Sequence, residues 1–582
     1  MANDKELDKL RHSTAHLLAS AVVQLYPGAK HTIGPVIENG FYYDFDLGDT
    51  KLNKADLKKI EEKMKDIVKG WDKFEKVDVT LSDVKKQFRK NLYKIELAEE
   101  FSKNGDKLTF YKSGDFIDLC RGGHIDSAKK IQHFKLLSIA GAYWKGSETN
   151  KMLTRIYGTA FFSQKDLDDF LEAQSKAESR DHRKIGRELD LFTFSELIGA
   201  GLPLYTPKGA IIRNLLNEYI ESLQSKAGYQ QVWTNQFAKD KLYKISGHYD
   251  KYKDSMFKVV SNYSDEEFFL KPMNCPQHTQ IYASKPRSYK DLPLRYTDFA
   301  MLYRDEKPGE LNGLARVRSF SQDDCHIFCR EDQVDEEIDT MLSMIKEVMK
   351  TFGFSYRYRL STRDPQHPEK YLGSPKTWDR VEAWAVDIMK RNKIDYFDAP
   401  GEAAFYAPKM DLLATDSLNR EWQLSTIQID YVMPERFKLE YTDSDGAKKP
   451  PVMLHRAIIG SPERFIMILL ENSGGNLPTW LNPVQVKILP ITDKNVKYAE
   501  GVYDKLRGEG IRAEIDSQNQ TLQSKIRNAQ LEKVSYMLIV GDKEAKGKTV
   551  SVRARSGKDY GQIKLNTFTH NIKKEIEEKR LD

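Results

Sequence analysis

Apolar residues recur at helical spacing in several stretches of this chain. Leu57, Ile60, Met64, Ile67 and Trp71 mark one face of an amphipathic helix over 54–71. Ile338, Met341, Leu342, Ile345, Met349 and Phe352 mark another, and a third helix is predicted around 209–226. GFYYDFDL (40–47) and KLTFYKSGDFIDL (107–119) read as strands. Ser163–Arg187 is very polar and reads as a solvated connecting helix with Ser163 as its N-cap. After NLPTWLNP (476–483), which reads as a joint, the strands VQVKILPI, IRAEID and VSYMLIVG alternate with helices. That alternation predicts a small parallel-type α/β domain. The pattern gives an α+β multidomain chain: 1–162, a connecting helix 163–187, a large region 188–482, and 484–582.

The 582 residues are enough for three or four domains. With 40% hydrophobic and 31% charged residues and no apolar run near ~18 residues, a membrane role is not expected. The start, MANDKELDKLRHSTAHLL, lacks a signal-peptide pattern, so the expected compartment is the cytoplasm. Four cysteines do not make a disulfide framework; they point to metal, catalysis or burial. The net charge of +6 permits a basic face but does not demand nucleic acid.

SFSQDDCHIF (319–328) carries the densest chemistry. As a strand it puts Gln322, Asp324 and His326 on one face and Asp323, Cys325 and Ile327 on the other. Cys325 therefore cannot share a metal with His326. Cys275, in KPMNCPQH, and His455, in PVMLHRAIIG, are its candidate partners. One Cys and two His leave a fourth position open, as in catalytic zinc sites. Spacing alone fits a buried thiol and two hydrogen-bonded core histidines as well. YRDEKPGELNGLARVRSF (303–320) reads as a hairpin with Arg304 and Glu306 on one strand and Arg316, Arg318 and Phe320 on the other. It suits an anionic ligand, or is simply a solvated hairpin. GSPERF (460–465) opens an apolar helix, with Ser461 as cap, Pro462 in the first turn and Arg464 close by.

The order of these pieces resembles motifs 1, 2 and 3 of the class II aminoacyl-tRNA synthetases. MNCPQH, SFSQDDCHIF and HRAIIGSPERF are similar, more narrowly, to threonyl-tRNA synthetases. The resemblance covers nearly the whole chain. It implies a class II antiparallel-sheet catalytic core, an N-terminal α+β editing domain and a C-terminal α/β anticodon-binding domain. It implies one Zn²⁺ per subunit on Cys275, His326 and His455, and Mg²⁺ with ATP. Arg304 matches the residue that holds the α-phosphate and the attacking carboxylate. Glu306 and Phe320 match adenine contacts, Arg316 and Arg464 the outer phosphates, and Gln423 a position near the nucleotide. Asp324, Tyr406, Gln428 and Ser461 match positions around threonine, and Gln322 shares their face. The implied partners are threonine, ATP, tRNA(Thr) and a second copy of the chain.

In the N-terminal region, RHSTAHLL places His12 and His16 on one helix face, and DLCRGGH places Cys120 and His124 four apart. HxxxH alone is often an ordinary exposed pair. Together with the later CxxxH, the set resembles the editing domains of threonyl- and alanyl-tRNA synthetases. Lys94 and Asp118 match further positions of that site. The implied reaction is hydrolysis of Ser-tRNA(Thr), with His12 and Lys94 activating water and Cys120, His16 and His124 shaping the pocket. Arg553 and Arg555, in TVSVRARSGK, are candidate anticodon readers by their shared face, or part of a solvated edge strand.

Three departures bear on function. The chain starts about ten residues before HSTAH, the start expected of a bacterial type lacking the ubiquitin-like domain that many members carry. Asn235 stands where motif 1 has a proline at the dimer interface. Gly123 replaces the usual proline of CRGPH, which loosens that loop. Two rival readings are a synthetase-like deacylase or tRNA-binding regulator, and a synthetase for serine or proline. The arginine set weighs against the first, and the Cys/His/His set against the second.

Overall fold

A computed structural model describes the chain apart from Met1, Glu148 and Asp582. The chain divides into two compact units, one ending at Ser175 and one starting at Lys176.

In the first unit, helices Ala2–Leu25 and Lys54–Val68 cover a sheet of Lys30–His31, Gly40–Asp46, Met152–Phe161 and His133–Tyr143 in that order, with Val36–Ile37 beside Gly40–Asp46. Leu57, Ile60 and Met64 are buried as the spacing predicts. The helix stops three residues short of Trp71, which still packs into the same core. Asn53 caps it, accepting from Ala55 N at 2.8 Å. The expected strand over 107–119 is a hairpin, Thr109–Ser113 and Phe116–Leu119, because Gly114 turns the chain at φ +55°. The expected connecting helix is two helices, Gln164–Ser179 and His182–Glu188. Ser163 does cap the first, accepting from Asp166 N at 3.1 Å. Asp181 breaks the run by capping the second, accepting from Arg183 N at 2.7 Å.

The second unit is built on an eight-stranded sheet. Its strands, numbered in chain order, are β1 (Gln230–Gln231), β2 (Leu294–Tyr303), β3 (Ser319–Cys329), β4 (Ser355–Thr362), β5 (Tyr396–Pro400), β6 (Lys409–Thr415), β7 (Glu421–Asp430) and β8 (Val452–Ala457). The spatial order is β1-β2-β3-β8-β7-β6-β4-β5, antiparallel except for the two outermost pairs. Helices Pro207–Lys226, Val334–Phe352 and Pro462–Ser473 contribute Leu216, Ile220, Met341, Ile345, Phe465 and Ile466 to one core with Cys325 and Ile327 of β3. Each such buried side chain contributes about 1.5–3 kcal/mol relative to exposure. This core occupies one sheet face. The alternate residues of β3 are thereby left to the opposite face. The expected hairpin strands over 303–320 are shorter than the sequence suggests. β2 ends at Tyr303 and β3 begins at Ser319, so Arg304, Glu306, Arg316 and Arg318 sit on the connecting loop.

The C-terminal sheet runs Ala513–Ile515, Val486–Pro490, Tyr536–Val540, Thr549–Ala554, Asp559–Lys564. The first three are parallel, as expected, and the last two are antiparallel additions. The final strand, DYGQIK, is mostly exposed and polar, so it carries no alternating apolar signal.

Candidate active site

The strand reading of SFSQDDCHIF holds. Gln322, Asp324 and His326 line a cavity of about 440 Å³, together with Cys275, Tyr406, Gln428 and His455. On the other face, Asp323 accepts from Ile458 N (2.7 Å) and Ile459 N (3.0 Å), and burial pushes its carboxyl up to about 7. Cys325 and Cys329 are fully buried in the core. Thus one of the two adjacent aspartates is structural and the other faces the cavity.

The register explains how distant residues meet. His326 stands opposite His455, and His455 opposite Gln428, across the β3-β8-β7 strip. Cys275 starts helix Cys275–Ala283, with Pro276 in its first turn. Donor atoms of Cys275, His326 and His455 all lie within 4.8 Å of one another. Their surroundings suit a metal. Asp430 accepts from His455 Nε2 at 2.9 Å, the carboxylate–histidine contact that fixes a ligating imidazole. That leaves Nδ1 of His455 with its lone pair. His326 Nδ1 is paired with His278 Nδ1 at 2.8 Å, which leaves Nε2 for the cavity. Burial, and then Asp324 and Asp430, push the Cys275 thiol well up; a divalent cation is what would reverse that. Burial likewise raises Asp324 and strongly lowers His326. The donor set therefore fits zinc.

A second cavity of about 290 Å³ adjoins the first. It is lined by Glu306, Arg316, Phe320, Ser461 and Arg464, and it shares Arg304, Gln322 and Gln423 with its neighbour. Ser461 caps helix Pro462–Ser473, accepting from Arg464 N at 3.2 Å. It therefore lines this cavity rather than the one with Asp324, Tyr406 and Gln428. Tyr406 donates to Gln428 Oε1 at 3.1 Å. Arg464 is held by Ala315 O and Gln423 O at 3.3–3.4 Å. Burial, then the charges of Arg304 and Arg316, depress its guanidinium. The Arg304 guanidinium lies 5.0 Å from the Phe320 ring centre, and its Nε is buried without a partner. Arg316 is tied to Glu306 and Glu310 at 2.8 Å. Converging arginines, one with an orphaned donor, suit a polyanion.

In the first unit, all six expected residues come together. His12 Nε2 is 3.0 Å from Cys120 Sγ, and Cys120 Sγ is 3.5 Å from His124 Nε2. The rings of His12, His16 and His124 lie 4.5–4.9 Å apart. Burial holds the histidines neutral, His124 down to about 3, and pushes Cys120 up to about 11. Lys94 is buried and paired with Asp118 at 2.5 Å, so it orders the site from behind rather than presenting a free amine. His31 and Tyr43, not foreseen from sequence, complete this buried knot at 3.2 and 2.5 Å from Asp118. Gly122 and Gly123 both have positive φ, +102° and +91°. Proline, fixed near −65°, could not take the backbone of Gly123, so this loop has its own conformation.

Arg553 lies on strand Thr549–Ala554 with its Nε buried and unpaired. Arg555 falls past the strand end, and its Nη1 donates to Leu477 O (2.9 Å) and Lys533 O (3.2 Å). One Arg555 nitrogen is thus tied to the backbone of the joint. His248, which reaches Cys275 Sγ at 3.8 Å, and His278 were not foreseen; the Cys275-x-x-His278 spacing was an available signal for the second, whereas His248 has no such neighbour in sequence.

Residues 257–473 match the model of the class II tRNA synthetase core domain (G, H, P, S and T). Residues 485–575 match the anticodon binding domain, and 108–157 the threonyl and alanyl tRNA synthetase second additional domain. The threonine–tRNA ligase of Rubrobacter xylanophilus is 46% identical over 574 residues, 98% of this chain and 89% of that one. That of Acetivibrio thermocellus is 47% identical, with the same coverage. Among solved structures, the RNA binding domain of threonyl-tRNA synthetase from Cryptosporidium parvum superposes with a TM-score of 0.65 at 36% identity, covering 68% of this chain and 98% of that one. With matched residues in all three domain models and relatives aligned along nearly the full length, the chain belongs to the threonine–tRNA ligase family of class II aminoacyl-tRNA synthetases.

Proposed function

We propose that the protein activates threonine with ATP, transfers it to tRNA(Thr), and hydrolyses Ser-tRNA(Thr) in its first unit. The observation that carries the ligase reading is the pair of adjoining cavities with Arg304 at their junction. A carboxylate held there faces an α-phosphate held by the same guanidinium. Attack at phosphorus forms the mixed anhydride and expels pyrophosphate. The reaction needs placement and charge neutralisation, which Arg304, Arg464 and Mg²⁺ with ATP provide. Phe320 offers a face for adenine and Glu306 an acceptor for its amino group.

Cys275, His326 and His455 would hold one zinc ion. Bound there, it would accept electron pairs from the amine and hydroxyl of threonine. Asp324, Tyr406 and Gln428 orient that amino acid. A site built to engage a hydroxyl rejects valine by ~10⁴–10⁵, whereas serine, short of one methyl, is rejected only ~10–200-fold. The first unit supplies the second sieve. His12, half-buried like Cys120 and His124 and beside the buried His16, is the proposed base toward water, oriented by Cys120. We further propose that the enzyme works in the cytoplasm as a homodimer through the motif 1 segment. Trp233 there is 85% exposed and Asn235 is also exposed. Among the described residues no helix is long and apolar enough to cross a membrane.

ATP–pyrophosphate exchange with threonine, serine, valine and proline, with zinc assayed on the same sample, tests this reading. The expected result is fast exchange with threonine, weaker with serine, none with valine or proline, and about one zinc per chain. No exchange with any amino acid from a folded, zinc-loaded sample would overturn it.

A further inference from the structure

His182 lies outside both cavities, yet it is the hub of a buried network that ends on the nucleotide loop. It is 3% exposed and opens helix His182–Glu188. Its Nδ1 lies 2.6 Å from Glu471 Oε1, and its backbone N–H donates to the same oxygen at 3.2 Å. Glu471, on helix Pro462–Ser473, also accepts from Arg420. Burial raises this carboxyl, but the bonds from His182 and Arg420 outweigh it and hold it below its ordinary range. Glu471 is therefore an acceptor only, and the ring proton of His182 must sit on Nδ1. Nε2 then carries a lone pair, which accepts the N–H of Leu314 at 3.0 Å. Asp181 is the second acid nearby, but both ring nitrogens of His182 are already used, so the histidine has no free nitrogen for a metal.

Leu314 and Ala315 line the nucleotide cavity, and Ala315 O is the acceptor that holds Arg464. Gly313 records how close the histidine sits. A Cβ there would lie 2.1 Å from His182 Nε2, and the residue has φ +48°.

We infer that His182 is a positioning residue for ATP: as the Nδ1–H tautomer it ties Glu471 of the Arg464 helix to the Leu314 N–H of the loop, setting the height of that loop over the nucleotide. This rests on the ligase reading above. The ring transmits the position of one phosphate-binding element to the other, without touching substrate.

Two conservative substitutions separate this role from a merely structural one. Gln places an amide oxygen near the position of Nε2 and keeps an acceptor for Leu314 N–H. Asn places an amide N–H near the position of Nδ1 and keeps only the bond to Glu471. Pyrophosphate exchange on the full chain, with KM measured for ATP and for threonine, is the readout. His182→Asn is expected to raise KM for ATP roughly ten-fold, the scale of one unpaired buried N–H, and leave KM for threonine within about two-fold. His182→Gln should recover most of the ATP loss. Rescue by Asn and not by Gln, or equal losses for ATP and threonine, would overturn the inference. Should His182→Ala fail to fold, the Asn/Gln comparison still decides. Wild-type protein active in exchange with both variants unchanged sinks this inference alone. Wild-type protein inactive with every amino acid sinks the ligase reading and this inference together.

Discussion

Asp430→Asn is the sharpest test of the metal assignment, because it changes one bond and almost no volume. Asp430 is fully buried. Its Oδ1 accepts from Val432 N (2.6 Å) and Met433 N (2.9 Å), and its Oδ2 accepts from His455 Nε2 (2.9 Å). Asparagine keeps the first two bonds with its carbonyl oxygen. Its amide nitrogen then faces Nε2–H, donor against donor. The imidazole relieves this by moving its proton to Nδ1, so that Nε2 accepts. Nδ1 is the atom left for zinc, and it has then lost its lone pair. Binding must first reverse the tautomer and restore the clash. Loss of one charge-assisted hydrogen bond costs about 1.5–3 kcal/mol. Loss of such a partner to a ligating histidine costs about 10–100-fold in metal affinity, or about 1.4–2.7 kcal/mol, so the two scales agree. The assay is zinc competition against a chromophoric chelator at neutral pH, with the thermal midpoint as control for folding. Zinc affinity equal to wild type in a folded Asp430→Asn protein would mean that Asp430 does not set which nitrogen of His455 faces the metal.

Three further outcomes follow from the same geometry. Although burial raises Asp118, Lys94 and His31 hold its carboxyl well below the ordinary range, so its contribution is full above the unfolded value of about 4 and is lost as pH falls toward the folded one. Protection factors of the amides in strand Gly40–Asp46, corrected for the intrinsic exchange rate at each pH, should fall in acid, whereas Asp118→Asn should already be weakened at neutral pH by about 3–5 kcal/mol, the scale of a broken buried pair. Gly460→Ala places a Cβ 2.8 Å from Leu424 O at φ +67°; a loss of about 2 kcal/mol in stability is expected from the conformation alone, visible as a lower thermal midpoint. Arg464→Lys keeps the charge but not the fork that bonds Ala315 and Gln423 while facing the cavity, so kcat for exchange should fall about 10²–10³-fold with folding intact.

What the sequence disclosed, and what it withheld, divides along one physical line. Side-chain periodicity was enough to place Gln322, Asp324 and His326 on one face, because a strand has period two whatever lies around it. The helices over 54–68, 207–226 and 334–352 were legible because their apolar stripes must be buried. Family resemblance brought Cys275 and His455 to His326, and the register of β3, β8 and β7 then gave a reason for their meeting. Contacts that run through main-chain atoms left no such trace. Nothing in the letters ties His182 to Leu314 N–H, Arg464 to Ala315 O, or Arg555 to Leu477 O. A side chain that bonds to a backbone group does so regardless of the partner's residue type, so it imposes no pattern on the sequence there. The one mark it leaves is steric: Gly313 stands where any Cβ would collide with His182. A glycine in a charged loop thus records a histidine some 130 residues away, and it does so because hydrogen-bonding distance and van der Waals exclusion act on the same few ångströms of space.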